Sequence, residues 1–156
     1  MSKVVVVSRP GLRYVEAGPY DPPNPVYEAV EAMLRNLGLD AARAGTPEWN
    51  PLGDLAGPGD HVIIKPNLVS SKNMHEKITG MKLAASSTHG SLLRPFLDYA
   101  LRAVGPRGRV RVVDTPVEGC EIEKVAGPLG IYEVVNHLRA KGHDVEAYTS
   151  PTRTSP

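Results

Sequence analysis

"HVIIKPNLV", residues 61–69, decides how this chain is read. His61 to Lys65 is short, apolar and β-branched, the pattern of a strand in a covered parallel sheet. Lys65-Pro66-Asn67 then ends it. Pro66 fixes its own φ and confines Lys65 to extended geometry, so the ammonium leaves the strand in a held position. A lysine there either marks where a strand surfaces or faces a ligand. Taken alone, the first reading is the simpler one.

Working outward, "KVVVVS" (Lys3 to Ser8) has the same β-branched character and predicts a first strand. Asn24 is placed to cap a helix, with Pro25 at its first position, Glu28 in its first turn and Gly38 as its stop. Val26, Ala29, Val30, Met33, Leu34 and Leu37 recur at helical spacing within it. After an aperiodic stretch from Pro66 to about Thr88, "STHGSLLRPFLDYALRAVG" predicts another helix. Its expected buried face is Leu92, Leu93, Phe96, Leu97, Ala100, Leu101 and Val104. Thr88 or Ser91 is its expected cap, and Pro95 predicts a short first turn or a bend. "RVRVVD" (Arg109 to Asp114) is a strand, "EIEKVA" a short helix, "IYEVVNHLRAK" a longer one, and "DVEAY" a last strand.

Strands alternating with helices imply right-handed crossovers and parallel pairing. The expected fold is one α/β domain over residues 1–148, three-layer α-β-α and Rossmann-like, with a mostly parallel sheet of about four strands. Residues 149–156 are expected to form a frayed polar tail. Ligands of such sheets sit outside the carboxyl ends of the strands. That rule selects Arg9-Pro10-Gly11, Lys65-Pro66-Asn67 and Asp114-Thr115-Pro116.

The 156 residues are 41% hydrophobic and 22% charged, an ordinary globular composition. Lys plus Arg number 18 and Asp plus Glu 17, for a formal charge of +1. That balance lacks the concentrated positive field that nucleic acid or a membrane surface demands. Arg107, Arg109 and Arg111 alternate and at strand spacing would share one face, read as solvated. No apolar run approaches the ~18 residues of a membrane span, and no secretory leader pattern is present, so the cytoplasm is expected. Cys120 is the single cysteine. It is read as a small buried hydrophobe, and this chain alone builds neither a disulfide nor an iron–sulfur cluster.

Three groups carry potential chemistry. Lys65 suits a phosphate or carboxylate, or acts as a base or nucleophile if desolvated, with Asn67 beside it as a donor. Ser87-Thr88-His89-Gly90-Ser91 opens a helix, where free N–H groups and the dipole favour an anion. There Thr88 and Ser91 offer hydroxyls, Gly90 close approach, and His89 an acid, base or metal ligand. The plainer reading is helix capping. Asp114, followed by Thr115, can hold a metal, pair with Lys65 or serve as a base; the plainer reading is an Asx turn. For a divalent metal the candidates are His89 and Asp114, joined by His75, at no recognised zinc spacing. No P-loop, nucleophile elbow, His-Glu-x-x-His pair or dinucleotide fingerprint occurs.

"VIIKPNLV" (Val62 to Val69), "STHGSLLRPFLDYAL" (Ser87 to Leu101) and "VRVVDTPVEGCEIEKV" (Val110 to Val125) stand in the order of the domain-of-unknown-function 362 family. The chain resembles that family from about Val62 to Tyr148. The Thr-His-Gly-Ser and Gly-Cys-Glu-x-Glu-Lys versions are similar to a branch met near polysaccharide-related genes. The resemblance implies no settled activity. It implies ferredoxin-like clusters in some members, which one cysteine cannot supply, and a second half after the equivalent of "DVEAYTS". Pro95 departs from the family's usual alanine.

The expected function is that of a small-molecule enzyme domain binding an anionic ligand, whether phosphorylated, nucleotide-linked or carboxylate. Lys65, His89 and Asp114 are the expected catalytic groups, and Asn67, Thr88, Gly90, Ser91 and Thr115 the ligand-binding ones. The alternative is a non-catalytic or incomplete module, completed by a missing C-terminal half or by homo-oligomer formation.

Overall fold

The structure, a computed structural model, describes residues 3–68, 76–79, 87–115 and 120–149. Helix α1 spans Pro25–Leu37. Its start follows from the sequence: the Asn24 side chain accepts the N–H groups of Val26 and Tyr27 at 3.1 and 3.0 Å, and Pro25 needs no donor there. Gly38 ends it at φ 85°, a left-handed conformation natural to glycine. Strand β1 is His61–Ile64, helix α2 is the single turn Glu76–Thr79, and helix α3 is Gly90–Val104. Strand β2 (Arg109–Asp114), helices α4 (Glu123–Ala126) and α5 (Ile131–Ala140), and strand β3 (Val145–Thr149) complete the order.

The sheet is parallel, in the order β1-β2-β3, with Val62 opposite Val110 and Val110 opposite Val145. Strand alternation divides its residues. Val62, Ile64, Val110, Val112, Val145 and Ala147 face a core built with α3, α4 and α5. Helix α1 packs on α3, where Tyr27, Val30, Leu34, Trp49 and Tyr99 form a second cluster. That sandwiching buries α3 nearly all round, Leu97 and Val104 completely. The long apolar face read from its sequence is there, and so are residues that reading left out, notably Arg94 and Tyr99. Pro95 lies inside α3, which runs through it as one helix.

Two expectations need correction. Lys3 to Ser8 is not a strand; the segment lies outside the sheet, with Val4 86% and Val6 85% exposed. Three strands are therefore paired among the described residues, where about four were expected. β-propensity makes a segment ready to pair but does not supply its partner edge. Nor is a second helical layer present among the described residues. The sheet's other face carries Ile63, 71% exposed, and Arg109 and Arg111, which pair with Asp144 at 3.3 and 2.7 Å. Arg111 also reaches Glu146 at 3.5 Å, so Arg109 and Arg111 form a paired, water-facing surface. The mixed helix–strand architecture is compatible with an α/β fold.

Among the described residues no helix is long and apolar enough to cross a membrane. Of the expected tail, residues 150–156 lie outside the described residues, as does His75.

Candidate functional site

Asp114 ends β2 almost completely buried, with 4% of its surface exposed. A buried carboxylate must be supplied with donors, and three arrive. The Lys65 ammonium forms an ion pair with Oδ1. The Leu68 N–H donates to Oδ2 at 2.6 Å and the Thr115 N–H to Oδ1 at 2.8 Å. Parallel pairing of β1 and β2 brings these groups together, because it aligns the carboxyl ends of neighbouring strands. Lys65 is thus aimed at Asp114, and Pro66 turns the chain so that Leu68 can close over the same carboxylate.

Only one of the lysine's three donors is committed to Asp114; a second lies 3.4 Å from the Pro66 carbonyl. Its side chain remains 64% exposed, so charge is presented to water as well as to the aspartate. The Thr88 hydroxyl accepts the Asn67 N–H at 2.9 Å, and the Thr88 N–H donates to the Asn67 carbonyl at 2.8 Å. These two bonds tie the segment after β1 to the entry of α3. A cleft of about 300 Å³ lies along the seam, lined by Ile64, Lys65, Pro66, Thr88, Leu92 and Phe96 among others. It offers one cation, one hydroxyl and an apolar wall.

His89, Gly90 and Ser91 are used differently. His89, rather than Thr88 or Ser91, caps α3: its Nδ1 accepts the Ser91 N–H at 3.1 Å and lies 2.9 Å from the Ser91 hydroxyl. An Nδ1 that accepts carries no proton, so the neutral ring holds its proton on Nε2. Tyr14 stacks on the ring at 4.6 Å and 7°, and Tyr20 leans against it at 5.4 Å. The Gly90 N–H donates to the Leu129 carbonyl at 2.7 Å. A Cβ on Gly90 would sit 2.6 Å from the Gly130 carbonyl oxygen and 2.7 Å from the Tyr20 ring, so backbone packing requires glycine here. The first donors of the helix are thus taken by protein groups.

Burial lowers the His89 pKa below its ordinary value near 6.5. Protonation would also destroy the acceptor that caps the helix and put a positive charge at the positive end of its dipole. The folded state therefore binds this proton less readily than the unfolded chain. The associated stability is complete above about pH 6.5 and is lost as pH falls from there through the depressed folded value. Thermal unfolding between about pH 8 and about pH 5 is expected to show this loss in the wild type and a shallower one in His89→Asn, which keeps a capping oxygen without the titration. Identical pH slopes would remove His89 from this role.

Among the described residues no three His, Cys, Asp or Glu side chains are arranged to hold a metal ion. A cation at Asp114 would have to displace Lys65, and one at Nδ1 of His89 would have to displace the helix cap. Cys120 is half-buried and packs against the core.

Tyr14, Tyr20 and Arg94 escaped the sequence reading. The tyrosines sit in a Pro/Gly-rich connection with no periodicity to expose them. Arg94 did leave a signal, a charge inside an apolar helix stretch. It is 3% exposed and donates to both oxygens of Asp98 at 2.9 and 3.0 Å, to Asp21 at 2.8 Å and to the Pro19 carbonyl at 2.5 Å. Arg94 binds the 9–24 connection onto α3. A larger hollow of about 440 Å³ opens on that flank, lined by Tyr27, Asp98, Tyr99, Arg102 and His143 among others, and contains none of the candidate site residues.

Comparison with known proteins found no matching family model, no matching curated protein and no matching solved structure.

Proposed function

We propose that this chain is an α/β enzyme domain that binds an anionic small molecule at the carboxyl edge of its sheet. The observation that carries the reading is the Lys65–Asp114 pair. A buried carboxylate, satisfied by two backbone donors, holds a largely exposed ammonium beside a cleft with an apolar wall. Such a site suits a phosphorylated, nucleotide-linked or carboxylate compound, its charge at Lys65 and its body along Leu92 and Phe96. Thr88 would add a hydroxyl. Asp114, with both oxygens engaged, acts as a positioning residue, while His89 caps α3 beside Thr88 and does not line the cleft. Membership of the domain-of-unknown-function 362 family, resting on the three motifs, is part of the same proposal, as is a cytoplasmic location.

Thermal-shift screening with inorganic phosphate, sugar phosphates, nucleotides and dicarboxylates tests this. At least one is expected to raise the melting temperature of the wild type, and to do so much less in Lys65→Ala. A compound that stabilises both proteins equally does not bind through Lys65.

A second reading has its own observation. Among the described residues nothing pairs with the outer edge of β1, and Ile63 is 71% exposed, as expected of a module completed by another polypeptide.

A further inference from the structure

We infer that the outer edge of β1, which no described residue pairs, is a docking site for the Lys3–Ser8 segment of a second copy of this chain, in a reciprocal strand exchange. The inference deepens the reading of the chain as an incomplete module, and it does not depend on the anion site.

The chain carries both halves of an unmade sheet contact. One is the edge. The Asp60 carbonyl accepts the Arg109 N–H at 3.0 Å, so the peptide groups of Asp60, Val62 and Ile64 turn towards β2. Alternation then turns those of His61 and Ile63 outward. Unpaired edges of this kind recruit strands, and natural proteins usually blunt them with charge, proline or a bulge. Here the residue at the middle of the edge is an exposed isoleucine.

The other half is the segment. Four consecutive valines, Val4 to Val7, are β-branched and favour strand geometry. Val4 and Val6 are exposed, and neither core cluster includes Val5 or Val7. The Lys3 ammonium donates to the Leu37 carbonyl at 3.2 Å, which places the segment's start at the end of α1. That helix packs chiefly on α3.

Charge selects the register. With the incoming strand parallel to β1, Lys3 lies opposite Asp60, and Val4 to Val7 lie opposite His61 to Ile64. Val6 then covers Ile63, while Val5 and Val7 extend the core face over half-exposed Val62 and Ile64. The antiparallel alternative sets Lys3 against Lys65, like charge against like. The parallel register adds a fourth strand to each sheet, and two-fold symmetry makes the exchange reciprocal and closed.

Analytical ultracentrifugation of the full chain over a concentration series tests this. The wild type is expected to sediment at twice the mass of one chain. Two variants should return it to the monomer. Val4→Lys with Val6→Lys alters only exposed positions. Ile63→Pro removes an outward-facing N–H and no β1–β2 bond. Lys3→Glu should weaken the dimer, and Lys3→Glu with Asp60→Lys should restore it. A monomeric wild type, or a dimer unchanged in both valine and proline variants, overturns the inference; a charge swap without effect overturns the parallel register. The ligand-induced thermal shift, measured on the same variants, is expected to persist in the monomers. Its presence or absence judges the anion site separately from the exchange.

Discussion

Replacing Asp114 with alanine is expected to lower the unfolding free energy by about 2–3 kcal/mol, the scale of hydrogen bonds to a buried charged group. The Leu68 N–H is left inside the protein without its acceptor, since Leu68 is 4% exposed. The Lys65 partnership adds little to stability, because a largely solvated ammonium regains water when its partner goes. For a chain of 156 residues the loss corresponds to a melting temperature lower by about 4–12 °C. Asp114→Asn keeps one acceptor for Leu68 and is expected to recover about half of it. Thermal and urea unfolding of the two variants measure the difference. If Asp114→Ala melts with the wild type, the carboxylate does not hold the segment after β1.

The second large effect is expected at Asp98, which does not line the cleft. Asp98→Ala leaves the Arg94 guanidinium, 4% exposed in its side chain, with only half-exposed Asp21 and one carbonyl. It also strips the Tyr27 hydroxyl of its acceptor, 3.1 Å away. Burial and then the Asp98 carboxylate push the Tyr27 phenol well above its ordinary pKa, so it stays a donor throughout the accessible range. Removing one partner of a buried charge costs about 3 kcal/mol, or about 6–12 °C here. The distinguishing measurement is the double variant. Arg94→Met with Asp98→Ala takes away both charges and should melt above Asp98→Ala alone, because no unpaired buried ion remains. Strictly additive losses would show that Arg94 and Asp98 contribute independently of each other.

These two carboxylates show what could be read in advance. Asp114 was legible because strand alternation and the carboxyl-edge rule need only local pattern. Lys65 and Asn67 followed for the same reason and Thr88 from the pattern of a helix start, and the structure does bring Lys65 to Asp114 and Asn67 to Thr88. Asp98 was not legible. Its importance comes from Arg94, whose partners Asp21 and Pro19 lie about seventy residues away in a loop without periodicity. Gly90 was legible as a place of close approach, but what approaches is the Gly130 backbone and Tyr20. His89 was legible as part of a helix start, but not as the cap itself, since an imidazole caps only when its ring is turned and held, here by Tyr14 and Tyr20.

The sequence by itself determined the elements whose causes are local. The α1 boundaries follow from Asn24, Pro25 and Gly38, the position of β1 from its apolar run and Pro66, and the carboxyl-edge location of Lys65 and Asp114 from the order of strands and helices. Only the tertiary structure decided which groups are spent on holding the fold and which remain to act. It committed both Asp114 oxygens and the first donors of α3 to the protein, left Lys65 facing water, and left Lys3 to Ser8 outside the sheet. The physical reason is that a hydrogen bond, an ion pair or a strand pairing belongs to two partners at once. Where the second partner is distant in the chain, pattern along one segment cannot name it.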